Sequence, residues 1–137
     1  MRDLLLYSHV ILGFLLVILP VLLLVYWKKP TAFSRLIAVI TAVISWAVLI
    51  PAGSLYLMFY PATKTLILSG AWPWAHSVFM ETKEHWGIML PLATTVAAWL
   101  YIKGDPKASK KWWVLVIVLA ILVAVFGRTV KLGAGTI

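Results

Sequence analysis

The chain has 137 residues, of which 64% are hydrophobic and only 12% charged, and its mean hydropathy is +1.03. A soluble domain carries about 25% charged residues, so no water-soluble fold hides this much apolar side chain, and an integral membrane protein is expected. The net charge of +8 sits in short connectors between apolar runs, which is not a nucleic-acid signature; the lack of cysteine excludes disulfides, cysteine-held iron–sulfur clusters and c-type haem attachment.

The first apolar run, residues 4–27, is long enough to cross a ~30 Å hydrocarbon core. No small-residue cleavage site follows it, so it reads as a retained helix and not a signal peptide. His9, Gly13 and Leu16 share one face of it, and Pro20 lies further along. Lys28 to Arg35 form a basic loop. The second helix is expected over residues 36–60, with Pro51, Gly53 and Ser54 allowing close approach of another helix or a flat ligand. Tyr56, Phe59 and Tyr60 suit an interfacial aromatic belt. Residues 61–74 read as neither clean helix nor polar loop, with the stretch from Thr65 to Gly70 lying along the interface.

Pro73 suits the first turn of the third helix, whose apolar part covers residues 86–102 with a bend at Pro91. Lys103 to Lys111 make a second basic loop. The fourth helix begins at Trp112, passes Phe126 and continues toward Lys131, leaving a tail with little to order it. The expected fold is all-α: one transmembrane four-helix domain over residues 1–137. Lys28, Lys29, Arg35, Lys103, Lys107, Lys110 and Lys111 outnumber Arg2, Lys64, Lys83, Arg128 and Lys131, and crowd into two loops. This bias puts those loops in the cytoplasm and both termini outside, across a prokaryotic plasma membrane.

Polar residues are rare in this chain, yet residues 72–87 hold His76, Glu81, Lys83, Glu84 and His85. Intramembrane ionisable groups are a functional-site hypothesis by default. With four spans, His9, His85, Arg128 and Lys131 all fall toward the outer side. Imidazoles from two helices ligate haem b from both faces, and Arg128 with Lys131 would neutralise its propionates. The plainer alternative is that His9 and His85 hydrogen-bond neighbouring helices. His76 stands nine residues from His85, about 180° around a continuous helix, and is an alternative ligand or an interfacial residue. Glu81, Glu84 and His85 at i, i+3 and i+4 form an alternative metal site if His9 joins them, or with Lys83 a salt-bridged surface turn. Glu81 or Glu84 would equally serve proton exchange with a quinone headgroup.

His9 near the start of the first helix and His85-Trp-Gly opening the third resemble the small four-helix b-type cytochromes. The resemblance implies haem ligation at His9 and His85 and electron exchange with quinones or a partner subunit. No histidine lies near the cytoplasmic end, so it implies one bis-histidine haem where many relatives hold two. The expected role is a subunit, itself non-catalytic, of a larger respiratory or oxidase-type complex, with lipid and other membrane subunits as partners. The rivals are a cofactor-free accessory subunit and a metal-binding membrane protein.

Overall fold

A computed structural model describes residues 1–135 as α1 (Arg2–Val25), α2 (Ala32–Ala47), α3 (Leu49–Ser69), a π-helical turn (His76–Met80), α4 (Glu81–Lys103) and α5 (Pro106–Gly133). Among the described residues these make four candidate membrane spans: Arg2–Val25, Ala32–Ser69, His76–Lys103 and Pro106–Gly133. The all-helical, four-span architecture expected from composition is present.

Helix boundaries follow from local chemistry. Thr31 and Ser34 form a reciprocal capping box that starts α2: Ser34 N donates to Thr31 Oγ1 at 3.1 Å and Thr31 N to Ser34 Oγ at 2.8 Å. Gly104, at φ +89°, ends α4 in the left-handed region that glycine enters without strain. Asp105 immediately caps α5 by accepting from Ala108 N at 3.0 Å, and Pro106 fills the first turn. The expected loop over residues 103–111 therefore contracts to two residues, and Lys107, Lys110 and Lys111 ride on the first turns of α5.

The second span differs more from expectation. Pro51 has no N–H for the Ala47 carbonyl one turn earlier, and the helix is interrupted at Val48. Beyond the break it continues past Tyr60 to Ser69, so the stretch from Thr65 is helical. Tertiary packing explains this: Ile67 is fully buried in a small apolar cluster with Tyr60, Ala75, Met80 and Val130. At about 1.5 Å per residue, the 38-residue Ala32–Ser69 stretch outruns a ~30 Å hydrocarbon core.

The helices form a ring in which α1 packs on α2, α3 and α5, and α4 packs on α2 and α5, so α1 and α4 stand on a diagonal. The end carrying both termini is the terminal end; the end carrying the two short basic turns is the loop end. The larger apolar core, with Leu16, Leu23, Ala38, Leu90, Ala97, Tyr101, Trp113 and Val116, fills the half toward the loop end. Small residues let α2 and α4 approach there, and Thr41 and Thr94 satisfy their hydroxyls by bonding Ile37 and Leu90 carbonyls at 2.7 Å each. Many large apolar side chains, Phe14, Val43, Leu57 and Trp99 among them, face outward, as a lipid environment requires.

Tyr101 links three segments at the loop end, donating to Ser34 Oγ at 3.0 Å with the Tyr26 carbonyl at 3.3 Å. Tyr101→Phe removes these bonds without removing volume. It should destabilise the protein by about 1 kcal/mol, read as a lower melting temperature in detergent micelles. No loss would mean that neither bond contributes net stability.

Candidate functional site

Between the large core and the small terminal-end cluster, polar side chains from four helical segments come together. His9 on α1 is half-buried; its Nδ1 is buried without a hydrogen-bond partner, and the ring lies beside Lys83 and the Val48 backbone at the α2–α3 break. Lys83 and Glu84 come from the first turn of α4. Glu84 interacts with Lys83, Tyr56 and Tyr60, and its Oε1 is buried with no partner. Tyr56 and Tyr60, one turn apart on α3, stack with centroids 5.3 Å apart. The Tyr60 hydroxyl stands 2.8 Å from His76 Nδ1, which ties the π turn to α3.

Gly127 on α5 makes room for Lys83. A Cβ at Gly127 would lie 3.3 Å from both Cε and Nζ of that lysine. Three other glycines neighbour the polar residues: Gly13 one turn deeper than His9, Gly87 one turn deeper than Lys83, and Gly53 one turn before Tyr56. A Cβ added to any of them meets no atom within 4 Å. Open space therefore lies beside each of these three glycines. Gly127→Leu should push the lysine aside and lower stability by about 1 kcal/mol, since the displaced atoms are the far end of a flexible chain. A Lys83→Ala background should suppress the loss; an undiminished loss there would place the clash elsewhere.

The sequence-predicted residues divide. His9 and Glu84 enter the polar group, and His76 enters it through Tyr60. His85 is exposed, with Nδ1 2.7 Å from the Glu81 carbonyl of its own helix, and does not face the bundle as expected. The reason is helical phase: Lys83 packs inward against Gly127 and beside His9, and a residue two positions further on turns about 160° away. Lys83, and not His85, stands beside His9, so His9 and His85 are not assembled as a facing pair around one iron. Glu81 and Arg128 are exposed, and Lys131 is half-buried near the end of α5. Among the described residues no three His, Asp or Glu side chains converge as a metal site would need. Met80 is core packing and Met89 is exposed.

Sequence reasoning gave Lys83 only a place in a salt-bridged surface turn, read Tyr56 and Tyr60 as an interfacial belt, and did not single out Gly127. A lysine inside a spanning segment was itself a signal, masked by its acidic neighbours, which suggested a solvated turn. Aromatic residues surround the group toward the terminal end: Trp74–Phe79, Phe79–Phe126 and Trp86–Phe126 have centroids 5.3–5.6 Å apart. No protein-family model, curated protein or solved structure matches this chain. Its class therefore rests on its own features: a four-span helical membrane protein with an ionisable group inside the bundle.

Proposed function

We propose that the chain is a quinone-linked electron- and proton-transfer subunit of a larger membrane oxidoreductase, held in a prokaryotic plasma membrane with both termini outside. The observation that carries this reading is the pair of buried, unpartnered polar atoms, His9 Nδ1 and Glu84 Oε1, at the level of the open glycines. A quinol headgroup is flat, arrives from the lipid phase and needs hydrogen-bond partners for two oxygens. Oxidation of a quinol releases two electrons and two protons. The electrons pass to a one-electron centre of a partner subunit. The chain's own part is to accept the two protons in turn at the Glu84 carboxylate, each passing through the Tyr60 hydroxyl to His76 and out toward the terminal end before the next is taken; quinone reduction runs this in reverse.

Photolabelling with an azido-substituted short-chain quinone tests the reading. Label on peptides containing residues 53–60 and 83–87, removed by excess unlabelled quinone, is the expected result. Label spread over lipid-facing residues and insensitive to competition would eliminate it, and favour the cofactor-free accessory subunit instead.

A second reading, haem b binding, draws on one observation. The bond from His85 Nδ1 to the Glu81 carbonyl leaves Nε2 as the free nitrogen, the arrangement common to metal-ligating histidines. Bound there, haem would relay single electrons. The exposed ring faces away from the bundle, so such a haem would lie against a neighbouring subunit and not between His9 and His85. A reduced-minus-oxidised spectrum of the isolated complex lacking an α-band from this chain, or one unchanged in His85→Ala, rejects it.

A further inference from the structure

The strongest feature unrelated to the polar group lies at the loop end. Trp27, Lys107, Lys110, Lys111 and Val114 line a groove of about 460 Å³ between the end of α1 and the start of α5. Lys110 Nζ stands 4.5 Å from the Trp27 ring centroid, and Lys28 Nζ approaches the same ring at 5.6 Å. The indole thus gathers two ammonium groups beside the groove.

The charge there is uncompensated. Of the four acidic residues in the chain, only Asp105 belongs to this end, and its carboxylate is engaged in capping Ala108. Three lysines in the first turns of α5 also oppose the positive end of the helix dipole, where anions are the favoured neighbours. Solvent relieves such repulsion partly; a bound anion relieves it more.

The groove is also apolar on one side, and this selects among anions. Val114, Val118, Ile121 and Val125 recur at i, i+4, i+7 and i+11, all with about half their surface exposed, and run from the groove along α5. The stripe covers ~16 Å, about the reach of an acyl chain. A cationic mouth continuous with an apolar stripe fits an anionic amphiphile better than a free ion.

We infer that this groove is a specific binding site for an anionic glycerophospholipid, its phosphate held by Lys107, Lys110 and Lys111 and one acyl chain lying along the valine stripe of α5. The site is independent of the quinone reading.

Native mass spectrometry of the protein released from nanodiscs of mixed phosphatidylglycerol and phosphatidylcholine tests it. The wild-type chain should retain phosphatidylglycerol in preference. Lys107→Gln/Lys110→Gln/Lys111→Gln should weaken retention about 100-fold, roughly fivefold for each lysine lost. The charge-matched control Lys29→Gln/Arg35→Gln/Lys103→Gln should leave it as in wild type. Trp27→Leu, which keeps every charge and so preserves membrane orientation, should also reduce retention. Equal losses in the groove and control variants would mean that only overall charge attracts lipid, and would overturn the site. So would stabilisation by inorganic phosphate equal to that by phosphatidylglycerol, which marks a general anion site, or unchanged retention in Trp27→Leu.

Discussion

Glu84→Gln should lower quinol-linked electron transfer in the assembled complex by about 100-fold, the lower bound for loss of a general acid–base group. The substitution keeps the shape and one hydrogen-bonding oxygen of the side chain but removes its ability to carry a proton. Glu84 also neighbours Lys83, so the neutral amide leaves a half-buried ammonium without its counter-charge. Stability and turnover therefore need separating. Lys83→Met/Glu84→Gln should regain the lost thermal stability and none of the activity, whereas Glu81→Gln, on an exposed side chain, should resemble wild type in both. Tyr60→Phe cuts the hydroxyl link to His76 and should slow turnover while leaving labelling by the azidoquinone intact. Wild-type turnover in Glu84→Gln would make the carboxylate a structural partner of Lys83 and nothing more.

Gly133→Val should cost about 3 kcal/mol, the upper range for overpacking a tight contact, read as a lower melting temperature in micelles. Gly133 is the last residue of α5 and is buried against the segment that leads into the π turn. A Cβ there would lie 3.0 Å from Ala75 Cβ, and Gly70 already sits with its own ideal Cβ position 3.3 Å from the Gly133 carbonyl. Ala75 Cβ is fixed to the backbone and cannot swing aside. The connection must move, and His76 moves with it, so the Tyr60–His76 bond should weaken as well. A changed imidazole nitrogen resonance for His76 reports this directly. Ala75→Gly in the same chain should recover much of both effects by removing the atom struck. A variant as stable as wild type would show that the ends of α3 and α5 do not need their close approach.

Helix existence was legible throughout, because apolar runs of about 15 to 25 residues between basic connectors have few alternatives in a bilayer. Boundaries were legible where a side chain acts on its own backbone. Pro73 ahead of the third helix and the end of that helix at Lys103 are examples. Two boundaries were not. The second span runs to Ser69 because Ile67 finds a buried place against Ala75 and Val130, residues far along the chain. The 103–111 connection is short because Asp105 caps a helix whose first turns are lysine-rich, a composition that reads as loop.

The candidate site divides in the same way. Composition alone marked residues 72–87 as exceptional and placed His9 at a comparable level, and both judgements rest on the expense of ionisable groups in hydrocarbon. Which of those groups turns inward was not legible. A shift of two residues reverses the face of a helix, so Lys83 and His85 exchange roles on the choice of phase, and an even coating of apolar residues leaves that phase undetermined. The five-residue π turn ahead of α4 contributes to it. Gly127, 44 positions from Lys83, is the clearest case of information held only in three dimensions. The residues by themselves determine that this protein lives in the membrane, how often it crosses, and where its polar groups concentrate, because these depend on hydrophobic length and charge. Tertiary packing decided that Lys83, Glu84, His9 and the Tyr60–His76 pair form the interior group while His85 faces out, because the phase of α4 is set by the helices it packs against.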